Sequence, residues 1–363
     1  MSDDAGLAGW FRLTSTPGIG ATTLRKLLQQ FGLPDRILAT RRSELANFLA
    51  PDALSALDSP DVAKSVERAL RWVAEPGNHA VTLADDCYPK ALLEISDPPA
   101  LLYCRGQTRL LGRPALAMVG SRNGTASGVR NAESFASTLS HAGLTIVSGL
   151  ALGIDAAVHR GGLAGIGSTI AVLGTGIDIC YPARNIELAR KIGELGLLLS
   201  EFPLGTRAIA GNFPRRNRLI SGLSQGCVVV EAALASGSLI TARSALDQGR
   251  EVFAIPGSIH SPLSKGCHAL IKSGAKLVES AEDILAELPG VPEKMKSLQL
   301  PAVEQGGTSA EPVLDLMGFD PIDIDTLSHR AGLSTEKISG KLLQLELEGL
   351  IGKLPGGLFQ RVK

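Results

Sequence analysis

Aromatic side chains are scarce in this chain: nine Phe, three Tyr and two Trp among 363 residues. A ligand that binds by stacking on rings therefore finds few platforms. Excess charge is missing too. Lys and Arg total 36 and Asp and Glu total 36, which excludes a surface that is basic all over and leaves a local patch as the way to hold a polyanion. The five cysteines, Cys87, Cys104, Cys180, Cys227 and Cys267, form no CxxC pair and mostly sit in apolar runs, the pattern of buried free thiols in a reducing cytoplasm. No apolar run reaches the roughly 18–20 residues of a membrane span. The first ten residues, MSDDAGLAGW, carry neither a basic n-region nor a long apolar h-region, so no signal peptide is expected. HExxH, Walker-A GxxxxGK[ST] and GxGxxG are absent, and metal hydrolysis and ordinary P-loop chemistry have no support. No cofactor, metal ligand or catalytic residue is assigned.

What is present divides into parts. The length suggests two or three domains, and a hydrophobic content of 44% fills their cores. Residues 1–77 read as a helical domain, with leucines at helical spacing. Inside it, Thr16-Pro17-Gly18-Ile19-Gly20 followed by an amphipathic stretch resembles a helix-hairpin-helix of the SAM-like kind. Its glycine N–H groups could meet a DNA phosphate, or the turn could simply join two packed helices. Residues 78–288 alternate short apolar strands with helix-length segments. The strands expected are Ala115–Val119, Thr145–Ser148, Thr169–Leu173, Leu197–Ser200, Cys227–Val230 and Val252–Ile255, led in by short apolar pieces at Ala80–Leu83 and Leu101–Cys104. Continuously apolar strands of this kind belong to a parallel sheet covered on both faces, so an α/β fold with an extended Rossmann-like, doubly wound sheet is predicted. Residues 289–312 read as a linker. Residues 313–363 read as a winged helix-turn-helix: helices over Ile324–Ala331 and Ser334–Leu347, then a hairpin around Pro355-Gly356-Gly357. Its second helix mixes Lys337 and Lys341 with Glu336, Glu346 and Glu348, which fits a protein-contact or structural role as well as DNA reading.

The stretch Ala115–Gly128, ALAMVGSRNGTASG, organises the central domain. A strand that ends in small residues at a helix N-terminus presents backbone N–H groups to an anion, and Arg122 adds a fork-shaped charge suited to phosphate. In an open α/β sheet, ligands sit beyond the carboxyl ends of the strands. Five Gly- or Ser-rich turns fall there, including Gly120-Ser121-Arg122, Ser148–Asp155 with Gly149 and Gly153, and the turn containing Ser236 and Ser238. The set predicts a broad cleft for a phosphate-bearing ligand. A second signal is Asn212–Ile220, NFPRRNRLI, with an apparent helix over Arg216–Leu223. Between Glu201 and Glu231 stand Arg207, Arg215, Arg216 and Arg218 and no acid, an unpartnered basic run that favours a polyanion. Phe213 could stack a base there or fill the core. Asp155 and His159, four residues apart, could form a general-base pair; with no nucleophile beside them, a helix-capping Asp and a satisfied His is the plainer reading.

MVGSRNGTASG, SGLALGIDAAVHRGGL, AVLGTGIDICYPARN, LSEFPLGT, NFPRRNRLISGLS, VVVEAALASGSLITARSALDQGREVFAIPG and KGCHALIKSGA together resemble the successive motifs of the DNA-processing protein A family (DprA/Smf), over about residues 88–287. The resemblance implies a non-enzymatic protein that binds single-stranded DNA, forms homodimers, protects incoming DNA and helps load the RecA recombinase during natural transformation. On this reading the DNA-binding residues are Gly120, Ser121, Arg122, Gly149, Gly153, Arg207, Phe213, Arg215, Arg216, Asn217, Arg218, Ser236, Ser238 and Lys265, with Gly120, Ser121 and Arg122 on backbone phosphate and Arg215, Arg216 and Arg218 as a basic rim. His268 departs from the family pattern, which usually has Asn there. The alternative is a nucleotide-processing enzyme, like nucleoside monophosphate phosphoribohydrolases, that uses the same cleft with Glu231, Ser236 and Ser238.

Overall fold

The computed structural model describes residues 4–288, 312–318 and 321–361. The expected linker therefore lies outside the described residues, apart from Pro312. Six helices come first: α1 (Asp4–Ser15), α2 (Ala21–Phe31), α3 (Pro34–Ala39), α4 (Arg42–Leu45), α5 (Pro51–Ala56) and α6 (Pro60–Val73). Helix α6 shows why they form. The Ser59 hydroxyl accepts from the Val62 N–H, Pro60 occupies the first turn, and Val62, Val66 and Ala69 at helical spacing make the buried stripe.

The central domain runs β1 (Asn78–Thr82), α7 (Lys90–Leu93), β2 (Leu101–Gly106), β3 (Ala115–Val119), α8 (Ala126–His141), β4 (Thr145–Ser148), α9 (Ile154–Ala164), β5 (Thr169–Val172), α10 (Ile186–Leu195), β6 (Leu197–Ser200), α11 (Asn212–Gly222), β7 (Gly226–Val229), α12 (Ser238–Asp247), β8 (Glu251–Ala254), α13 (Lys265–Lys272), β9 (Lys276–Leu277) and α14 (Ala281–Glu287). Nine strands form one sheet in the order β1-β2-β6-β5-β4-β3-β7-β8-β9. Strands β3 to β9 are parallel, whereas β1 and β2 add an antiparallel edge. The two lead-in pieces therefore extend the sheet itself. The six central strands fall within one residue of their expected bounds because each is a short, buried and mostly apolar run, with only Glu251 at the start of β8 partly exposed. Helix α11 starts at Asn212, four residues earlier than expected: Pro214 sits in its first turn, where its missing N–H costs nothing.

The chain moves out from β3 in both directions, so β3 and β7 flank the topological switch point where such sheets bind ligands. One core cluster joins the N-terminal helices to the sheet: Phe11, Leu13, Leu24 and Leu27 pack with Tyr103, Leu198, Ala171 and Leu173. Phe11 stacks on Tyr103 at 5.7 Å and Trp72 meets it edge-on at 5.8 Å. A side chain as large as Tyr103, 1% exposed, contributes about 2 kcal/mol or more on burial, so this seam is a firm attachment.

The last unit is α15 (Pro312–Met317), β10 (Ile322–Asp323), α16 (Ile324–Ala331), α17 (Thr335–Leu347), β11 (Ile351–Leu354) and β12 (Leu358–Arg361), with a three-stranded sheet β10-β12-β11. It is a winged helix with its own core, including Leu327, Ile338, Leu342 and Phe359. Among the described residues no helix is long and apolar enough to cross a membrane.

Candidate nucleic-acid interface

A cavity of about 840 Å³ opens at the carboxyl ends of the central strands. Its wall takes Gly120, Ser121, Arg122 and Asn123 from beyond β3, Ala151 and Asp155 from beyond β4, and Tyr181 from beyond β5. Phe213, Arg216 and Asn217 come from α11, Ser236 and Ser238 from beyond β7, and Leu263 from beyond β8. The expected convergence of strand-end turns on one cleft is thus what the fold builds. The Oγ atoms of Ser236 and Ser238 lie 2.7 Å apart on one side. Tyr181 is half exposed, and its ring centroid is 5.5 Å from that of Phe213, which makes a small aromatic platform in the cavity that Arg122 also lines. Sequence reasoning left Tyr181 out of the site; its signal was its place just beyond the third strand-end turn.

The helix end that the first strand points at is not an open anion site. The Thr125 hydroxyl accepts from the Gly128 N–H at 2.9 Å, Glu231 accepts from the Thr125 N–H and hydroxyl at 2.9 and 2.6 Å, and the Gln360 side chain accepts from the Ser127 N–H at 3.4 Å. The Asn123 N–H is taken by the Ser121 hydroxyl at 3.1 Å. Of the three residues assigned to phosphate, the Ser121 N–H is also taken, by the Glu231 carbonyl at 2.7 Å, while the Arg122 side chain is exposed.

The basic run divides sharply. Arg216 is not on a rim: it is 5% exposed, and its guanidinium donates to the carbonyls of Gly149, at 2.9 Å, and Val172. Burial pushes its pKa down to about 10, with the nearby Arg122 charge adding to the fall and Asp155 opposing it. Nor is the run unpartnered. Arg218 reaches Glu201 at 2.5 Å and Asp97 at 3.5 Å, and Arg215 reaches the same Glu201 at 3.3 Å. Both acids lie outside the acid-free segment, where a linear reading could not see them. Glu201 is itself buried, and that desolvation raises its pKa although Arg218 and Arg215 pull it down. Arg215 stays exposed over the Phe202 ring, and Arg207 stands exposed on the loop whose Ala208 and Ala210 line the cleft.

Arg207, Arg215 and Arg218 do not line the cavity, and three more expected contacts fall elsewhere. Gly149 lies beneath the wall, where a Cβ would come within 2.5 Å of the Arg216 guanidinium. Gly153 has φ +74°, and a Cβ there would meet the Ser121 carbonyl at 2.4 Å; it lets α9 start directly under the Arg122 turn. Both glycines serve packing. Lys265 is outside the cleft, on a separate apolar cavity of about 570 Å³ with His268 and Leu277, and its ammonium is bound to the Ile259 carbonyl.

His159 is the satisfied histidine, but Asp155 does not cap α9: the helix has no side-chain cap, and the carboxylate ties the loop before it. The Asp155 carboxylate accepts from the N–H groups of Gly149 and Ala151, at 3.2 and 3.3 Å. His159 accepts from the Leu150 N–H at 3.2 Å and meets the Thr169 hydroxyl at 2.8 Å. Burial raises the Asp155 pKa and lowers that of His159 to about 3. The run Gly222-Leu223-Ser224-Gln225-Gly226 has nucleophile-elbow spacing, yet Ser224 is buried at the amino end of β7 and donates to the Ile220 carbonyl. Among the described residues no three His, Cys, Asp or Glu cluster as metal ligands.

The family model described as DNA recombination-mediator protein A matches residues 79–289, and the DprA winged helix domain matches residues 301–357. The chain belongs to the DprA family. It is 44% identical to the protein Smf of Escherichia coli over 302 residues, 81% of this chain and 80% of that one. It is 50% identical to the DNA processing protein DprA of Streptococcus pneumoniae over 57% of this chain and 73% of that one. The solved S. pneumoniae DprA superposes with a TM-score of 0.65 at 38% identity, covering 79% of this chain and 98% of that one. A Helicobacter pylori DNA processing protein A solved for its single-stranded DNA binding mode superposes with a TM-score of 0.52 at 33% identity, covering 57% and 94%.

Proposed function

We propose that this chain binds single-stranded DNA in the strand-end cleft and acts as a recombination mediator. The reading is a cytoplasmic, non-enzymatic homodimer that protects incoming DNA and helps load RecA during natural transformation and recombination. The observation that carries it is the cleft itself. A cavity with an aromatic pair, paired serines and the exposed Arg122 at the switch point is shaped for a phosphate chain with bases beside it. Gly120, Ser121, Phe213, Asn217, Ser236 and Ser238 are the wall contacts in this reading, and Arg122, Arg207 and Arg215 the exposed charges. The relative from H. pylori with a single-stranded DNA binding mode supports the ligand.

Binding of oligo(dT) measured across salt tests the reading. Arg122→Ala is expected to weaken binding and flatten the log–log salt slope by about 0.7, the contribution of one phosphate contact on a single strand. Unchanged affinity and slope would overturn this placement of the strand. The phosphoribohydrolase reading asks Glu231 to reach a ligand, but its carboxylate is held by Thr125 and does not line the cleft. Release of free base from nucleoside monophosphates, abolished by Glu231→Gln, would reinstate it.

A further inference from the structure

We propose that the N-terminal helical domain positions the DNA-binding wall through two arginines, Arg68 and Arg25; the inference rests on single-stranded DNA occupying the strand-end cleft. The first route starts at Arg68 on α6. Its guanidinium pairs with Asp178, in the loop beyond β5. The same carboxylate accepts from the Gly205 N–H with both oxygens, at 2.8 and 3.1 Å. Gly205 opens the loop that carries Arg207 and lines the cleft with Ala208 and Ala210. That loop is tied back by the Gly176 N–H, which donates to the Thr206 carbonyl at 2.9 Å. One ion pair from α6 therefore fixes two loops at once, and these loops lead to Tyr181 on one side and Phe213 on the other.

The second route starts at Arg25 on α2. It donates to the Ser96 carbonyl at 2.7 Å and to Asp97 at 3.0 Å. Asp97 also faces Arg218 at 3.5 Å, and Arg218 shares Glu201 with Arg215. The charges of α11 are thus oriented by a chain of carboxylates that ends in the N-terminal domain. Neither Arg25 nor Arg68 lines the cleft, so both are positioning residues. A cleft whose wall loops are already ordered binds more tightly because less entropy is lost on binding.

The test uses the full chain with Arg68→Ala, Arg68→Lys, and Arg25→Ala combined with Arg68→Ala. Amide hydrogen exchange is read over residues 203–217 in the free protein, and oligo(dT) affinity is read across salt. Arg68→Ala is expected to speed exchange at Gly205–Gly211 and to weaken oligo(dT) about two- to fivefold, the range of a half-exposed ion pair, with the salt slope unchanged. Arg68→Lys is expected to restore most of both, and the double variant to lose more than Arg68→Ala alone. Exchange and affinity both equal to the parent's would overturn the proposal. So would a loss of affinity accompanied by a flatter salt slope, which would make these arginines phosphate contacts. If the parent itself fails to bind oligo(dT), the cleft reading fails, and the exchange data still decide whether Arg68 orders the loop.

Discussion

Arg216 separates a structural arginine from a DNA-binding one. Replacing it by Met keeps much of the volume and removes the guanidinium. The Gly149 and Val172 carbonyls then lose their donor, and buried Asp155, 7% exposed, loses the positive charge that opposes its desolvation. Deleting one member of a buried charge pair costs about 3–5 kcal/mol, because the remaining charge stays desolvated. With a urea slope of about 2 kcal/mol per M, a loss of about 4 kcal/mol moves the midpoint down by about 2 M. Urea unfolding followed by circular dichroism gives the midpoint, and oligo(dT) binding at low temperature gives the affinity of the folded fraction. Arg122→Ala, an exposed change, is expected to stay within about 0.5 kcal/mol of the parent in stability while losing affinity. An Arg216→Met protein that unfolds at the parent's midpoint yet loses DNA as Arg122→Ala does would refute the structural assignment.

His159 predicts an acid weakness. The folded protein holds it neutral down to about pH 3, whereas the unfolded chain protonates it near 6.5, so its contribution is complete above 6.5 and declines as pH falls. Between pH 6.5 and 5 the parent is expected to lose about 2 kcal/mol more than His159→Gln in urea titrations; parallel losses would contradict this. Gly153→Ala puts a side chain at φ +74° and within 2.4 Å of the Ser121 carbonyl. A cost above about 2 kcal/mol in thermal unfolding, with weaker oligo(dT) binding from the displaced Arg122 turn, is expected, and an unchanged Tm would show that α9 does not press on that turn.

The central strands were legible because a buried parallel strand is an uninterrupted apolar run, and Thr145–Ser148 or Leu197–Ser200 can hardly be anything else at that length. The winged-helix elements were legible for the complementary reason: Gly332 and Pro355-Gly356-Gly357 punctuate their ends. The antiparallel edge was not legible. Pairing of β2 with β6 joins residues about a hundred positions apart, and nothing local marks the direction of the partner.

By itself the sequence determined the alternation of strands and helices, the strand-end turns and hence a cleft beyond them, since hydrophobic period and Gly placement are local properties. Which of its arginines can meet a ligand was decided only by the tertiary structure. Arg215, Arg216 and Arg218 are one basic run in the sequence; folded, one is buried under Gly149, one is shared between Glu201 and Asp97, and one stays exposed. The same holds for Ala115–Gly128, whose helix end is occupied by Glu231, Thr125 and Gln360. The physical reason is that charge and hydrogen-bond capacity are spent on neighbours in space, and a one-dimensional pattern lists the donors without listing what already holds them.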